Sequence, residues 1–100
     1  MNSLNAIPTA IVILPYVLRA KAGNQKSVMI AGSTIREIII ALDHEYPGLG
    51  FNLCYETGEL RPYVNIFLNR ENIRYLQGLE TPVHMGATIY ILQSVAGGRS

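Results

Sequence analysis

Only one stretch of this 100-residue chain carries a helical apolar period, and both of its ends are marked. Ile35, Ile38, Ile39 and Leu42 recur at i, i+3, i+4 and i+7, which puts them on one face of an α-helix. Ser33 or Thr34 can cap the start, and Glu37 sits three residues after Thr34, the capping-box spacing. Pro47-Gly48 stops the helix. Arg36, Glu37, Asp43 and His44 fall mostly on other faces. A helix this short does not hold alone in water, so the rest of the chain must cover its apolar face.

That remainder reads in twos. Residues 9–14 form a first strand rich in β-branched residues (Thr9, Ile11, Val12, Ile13), ended by Pro15, which removes a ladder donor. A loop containing Gly23-Asn24 leads to a second strand over about residues 25–31. Residues 48–61 read as loop, with a turn at Glu56-Thr57-Gly58. In the next strand, Val64, Ile66 and Leu68 point one way, and Tyr63, Asn65 and Phe67 the other. After a polar turn at Asn69 to Asn72, Ile73-Arg74-Tyr75 is expected as a short return strand and residues 76–86 as an irregular crossover. The last strand, Ala87 to Leu92, sends Ile89 and Ile91 to one side and Thr88, Tyr90 and Leu92 to the other. A sheet with one main helix packed across it is an α+β domain. Burial is sufficient: folding at this mass removes roughly 10,000 Å² from water, and 49% of the residues are apolar. We expect one domain over residues 1–93 and a flexible tail over 94–100.

Several function classes drop out. A formal charge of +1, with scattered basic residues, gives no field for nucleic acid or an acidic membrane surface. No run reaches membrane-spanning length. The apolar stretch Ala10 to Leu18, followed by Ala20-Lys21-Ala22, mimics an export signal. However, no Lys or Arg precedes it and two prolines bracket it, so a cytoplasmic first strand is expected. The lone Cys54 excludes an internal disulfide or a cysteine-ligated cluster and reads as a partly buried thiol. His44 and His84 lack ligand-spaced partners, so no metal site is expected. The carboxylates show no paired pattern. Arg61, Arg70 and Arg74 read as ordinary surface charge or as a small basic rim able to steer an acidic partner.

What is left is the tail. Ser94-Val95-Ala96-Gly97-Gly98-Arg99-Ser100 follows the last strand without any further fold-forming pattern. Glycine lacks Cβ, so Gly97 and Gly98 fit a narrow channel, and the small residues Val95 and Ala96 can follow them. Ser94 to Gly98 spans at most about 17 Å when extended. Tyr63, Phe67, Tyr90 and Leu92 occupy the sheet face opposite the inferred core, as expected of a docking surface for a partner.

Three segments, Ile13 to Val28, Leu60 to Leu79 and Ile89 to Gly98, together with the element order, resemble the ubiquitin-like sulfur carriers of the MoaD/ThiS family, the CysO-type carriers most of all. The resemblance implies a β-grasp fold, a mixed sheet of four to five strands with its first and last strands parallel at the centre. It also implies a protein that is not an enzyme and binds no cofactor of its own. A ubiquitin-activating-type adenylyltransferase uses Mg-ATP to adenylate the terminal glycine, which here is Gly98, and sulfur then displaces AMP to leave a thiocarboxylate. The acceptor implied is a cysteine-synthase-like enzyme in cysteine biosynthesis. The alternatives are the molybdopterin synthase large subunit, for which this chain would be the small subunit, or a target lysine, if the chain is a ubiquitin-like modifier. A plain β-grasp interaction module with an inert tail is the non-carrier alternative. Two departures stand out. Arg70 replaces the glycine that often follows the turn asparagine, so Asn69 is expected to be left-handed. Arg99 and Ser100 follow the diglycine. Either they are an extension of the kind that a JAMM-type zinc protease removes between Gly98 and Arg99, or they are a cloning remnant.

Overall fold

Two strands from opposite ends of the chain lie side by side at the centre of the sheet. The computed structural model describes residues 6–94. Strand β1 (Thr9–Ile13) runs parallel to β5 (Thr88–Gln93), with Ile11 opposite Thr88 and Ile13 opposite Tyr90. β2 (Ser27–Ala31) pairs antiparallel on the far side of β1. On the other side of β5, β3 (Val64–Leu68) and the two-residue β4 (Glu71–Asn72) complete the order β2-β1-β5-β3-β4. Parallel neighbours need a crossover, and helix α1 (Ile35–Glu45) lies within it, packed across one sheet face. This is the β-grasp arrangement.

The core follows from two periods meeting. Ile35, Ile38, Ile39 and Leu42 are buried on α1, and Val12, Ile30, Ile66, Ile89 and Ile91 are buried on the sheet. Each such aliphatic side chain contributes about 1.5–3 kcal/mol on leaving water. The expected cap forms. Thr34 Oγ1 accepts from the Glu37 N–H at 3.2 Å, while the Glu37 carboxylate accepts from the Ser33 N–H at 2.7 Å. Asn69 is left-handed (φ 56°), as expected.

Three segments differ from the sequence reading. The loop expected after Pro15 is largely a 3-10 helix, Tyr16–Ala22, anchored by the buried Leu18 and Ala22. The stretch after Pro47 is not all loop, because Leu49–Leu53 forms a short helix, α2. Its start is held by α1: Asp43 Oδ1 accepts from the Gly48 N–H at 3.0 Å and the Gly50 N–H at 2.9 Å. The fit is close, since a Cβ on Gly50 would lie 2.8 Å from Asp43 Cβ. Finally, Ile73–Tyr75 is a 3-10 helix and not the return strand; β4 ends at Asn72, whose side chain accepts from the Arg74 N–H and turns the chain.

Asp43 therefore ties α2 to α1. Asp43→Ala is expected to cost about 1–3 kcal/mol by leaving the buried Gly50 amide unpaired, read as a lower urea midpoint. Asp43→Asn, which keeps an acceptor oxygen, should cost distinctly less.

Candidate docking face and tail exit

With α1 covering one face of the sheet, alternation sends every second side chain to the other. The register lays Ile13, Tyr90 and Phe67 in one row, with Ile11 opposite Met29 beside it and Leu92 opposite Asn65 on the other side. Tyr90 is 42%, Leu92 50% and Met29 63% exposed. Of the four residues expected here, Tyr90 and Leu92 stand free and Phe67 is half-buried between its cross-strand neighbours. Tyr63 is half-buried against the edge of the core. Sequence reasoning missed Ile11, Ile13 and Met29. The alternation of β1 and β2 carried that signal, because Ala10, Val12, Val28 and Ile30 are the buried partners of those outward residues.

β5 passes out of the sheet between β1 and β3. Its last described residue is fixed there, since the Ser94 N–H donates to the Tyr63 carbonyl at 2.9 Å. Val95, Ala96, Gly97, Gly98 and Arg99 lie outside the described residues.

The three arginines differ in their surroundings. Arg61 is stacked between the Phe51 and Tyr55 rings, 4.8 and 4.6 Å from their centroids, and its Nε donates to the Phe51 carbonyl at 2.8 Å. Arg74 donates to the Val64 carbonyl at 3.1 Å, and Arg70 is exposed on the turn after β3. Arg61 therefore clamps the α2 region, to which two aromatic faces bind a guanidinium well.

Cys54 lines a cavity of about 340 Å³ between α1, α2 and the 54–60 loop. Burial pushes its thiol above the usual value, more strongly than the Arg36 and Arg61 charges pull it down. Such a thiol is a poor nucleophile at neutral pH. Both histidines are exposed. Among the described residues, no group of His, Cys, Asp and Glu could hold a metal ion. No helix among them is long and apolar enough to cross a membrane.

Neither described face assembles an acid, a base and a nucleophile, so the docking face and the tail exit are where comparison is informative. The model of the ThiS family matches residues 12–98. The chain belongs to the ThiS family. The sulfur carrier protein CysO of Mycobacterium tuberculosis is 38% identical over 89 residues, covering 87% of this chain and 96% of that protein. Its crystal structure superposes with a TM-score of 0.81 at 35% identity, covering 86% of this chain and 99% of that one. A chain of the Amycolatopsis orientalis BexX/CysO complex superposes with a TM-score of 0.82 at 37% identity, covering 89% and 99%. The small archaeal modifier protein 1 of Methanosarcina acetivorans superposes with a TM-score of 0.81 at 30% identity, covering 94% and 100%. The expected family and the ubiquitin-like fold are thus both found.

The raised thiol pKa sets a testable sign. Less Cys54 is thiolate at a given pH, so its alkylation by iodoacetamide at pH 7.5 should run slower than that of glutathione. The rate should still be climbing at pH values where glutathione has levelled off.

Proposed function

We propose that this protein is a sulfur carrier of the CysO type whose reactive group is the carboxylate of Gly98. The observation that carries the reading is that near-full-length likeness to CysO coincides with a diglycine just beyond the central strand. The family match runs to Gly98 and leaves Arg99 and Ser100 outside it. In this reading the two extra residues are removed first, by a JAMM-type protease where they are native.

The chemistry follows from what a carboxylate lacks. Its charge repels nucleophiles and oxide is a poor leaving group, so it must be activated. A Gly98 carboxylate oxygen attacks the α-phosphorus of Mg-ATP on a ubiquitin-activating-type adenylyltransferase, and pyrophosphate leaves. A sulfide-level donor then attacks the acyl carbon and AMP leaves, giving a thiocarboxylate that is anionic at neutral pH. The sulfur-accepting partner in this reading is a cysteine-synthase-like enzyme. The chain supplies no acid, base or metal to either step. It supplies a body for the enzymes to hold and a slim end for them to reach. Ile11, Ile13, Met29, Phe67, Tyr90 and Leu92 give the body an apolar face suited to that holding.

Likeness to a small archaeal modifier protein favours one second reading, in which the activated Gly98 is passed to a lysine amine. A Gly-Gly remnant on lysines of host proteins would support it.

Intact-mass spectrometry of the protein from its own host tests the carrier reading. The expected mass ends at Gly98, with a fraction heavier by the exchange of one oxygen for sulfur. A host protein uniformly retaining Arg99 and Ser100 contradicts it. In the chain ending at position 98, Gly98→Ala should reduce thiocarboxylate formation by at least about tenfold and leave the melting temperature unchanged.

A further inference from the structure

The end of the sheet where β5 passes out is flanked on both sides, and one flank was absent from the sequence reading. On the β3 side, Ser94 is bonded to Tyr63. On the β1 side, the parallel pairing runs to Ile13 opposite Tyr90, and after Leu14 and Pro15 the 3-10 helix Tyr16–Ala22 begins at once. Its Leu18 and Ala22 are buried in the core, whereas Tyr16 is 81% and Val17 66% exposed.

The turn that carries these two apolar side chains is held in place. The Leu18 N–H closes the first turn onto the Pro15 carbonyl at 2.9 Å. Arg19 Nε donates to the Leu14 carbonyl at 3.1 Å, and its guanidinium lies over the Tyr16 ring, 5.6 Å from the centroid. Left-handed Gly23 ends the helix with its N–H on the Arg19 carbonyl. A rigid apolar pair costs little ordering entropy when it is covered. The connection itself carries one sign of charge. Arg19, Lys21 and Lys26 all lie in the β1–β2 connection, and the sequence has no Asp or Glu before Glu37.

We propose that Tyr16 and Val17, with Leu92 on the neighbouring strand β5, form a collar that the adenylating enzyme grips while the residues beyond Ser94 occupy its channel. The inference rests on the carrier reading and adds the enzyme's footprint to it. Gly98 lies four residues beyond Ser94, at most about 14 Å away. An enzyme that closes around Gly98 must therefore meet the body at this end, and Tyr16, Val17 and Leu92 are exposed apolar side chains on its β1 side. The charge of the connection specifies the partner further: an apolar shelf bordered by carboxylates, which meet Arg19, Lys21 and Lys26.

The test uses the chain ending at Gly98, the adenylating enzyme of its host and ATP-dependent pyrophosphate release. Val17→Asp and Tyr16→Ala should each lower kcat/KM at least about tenfold through KM, with kcat within about twofold. Their melting temperatures should match that of the unaltered chain. Met85 is 65% exposed just before β5, at the opposite end of the sheet. Met85→Asp should leave kcat/KM unchanged. Val17→Ala, a milder change at the same position, should raise KM less than Val17→Asp. If the unaltered chain is charged and the Tyr16 and Val17 variants are charged equally well, the collar is wrong and the carrier reading stands. An equal loss in Met85→Asp overturns the collar as well. If the unaltered chain is not charged at all, both fall.

Discussion

The pairing of β1 with β5 is the constraint on which the other features depend. These strands lie more than seventy residues apart in the chain, yet Val12 sits opposite Ile89 at the centre of the sheet and both side chains are buried. Because they run parallel, their carboxyl-terminal ends come out together. That one fact puts the 3-10 helix after β1 beside the exit of β5 and forces a crossover, in which α1 covers one face. β2 and β3 then pair on either side, and among the described residues no helix covers the opposite face.

The body consequently divides into a covered face, a bare face and an exit. The covered face holds the aliphatic core. Much of the polar chemistry on that side is structural: Asp43 ties the two helices, Arg61 is clamped between two rings, and Arg36 pairs with Glu80 while also donating to the Gly58 carbonyl. The surface pair of Arg36 and Glu80 adds little stability by itself; its place is to hold the 54–60 loop and the 78–80 turn against α1. The bare face and the exit hold exposed aromatic and aliphatic side chains. In the proposed carrier reading the reactive atom lies beyond the last strand, and the body serves as a handle.

Much of this was legible in the sequence, for physical reasons that differ by element. α1 was readable because its period, its cap and its stop all agree, and local consistency of that kind is what specifies a structure. The strands were readable where alternation was strong, as with Ile89 and Ile91 against Tyr90 and Leu92. Tyr16–Ala22 was not, because its apolar residues run on from β1 without a break and a three-residue period leaves little trace in seven positions. α2 was not, because five residues are too few to show a period and its start is capped by a side chain from the preceding helix. Ile73–Tyr75 has strand-like residues, but the Asn72 side chain takes the Arg74 amide and bends the chain away. On the bare face, attention to aromatics found Tyr90 and Phe67 and overlooked the aliphatic Ile11, Ile13 and Met29. The tail motif, Gly97-Gly98, was legible only as composition, and it gains meaning from the family to which the chain belongs.

The proposed carrier reading requires that the fold be complete at Ser94 and that the chemistry lie beyond it. Native-state hydrogen exchange of the full chain and of a chain ending at Ser94 tests this most directly. The account predicts that the slowest amides of β1 and β5 keep the same protection in both, because among the described residues β5 is held by β1 and β3. A drop in that protection on removing residues 95–100 would show that those residues are built into the fold, and would contradict a body that offers its end to other enzymes.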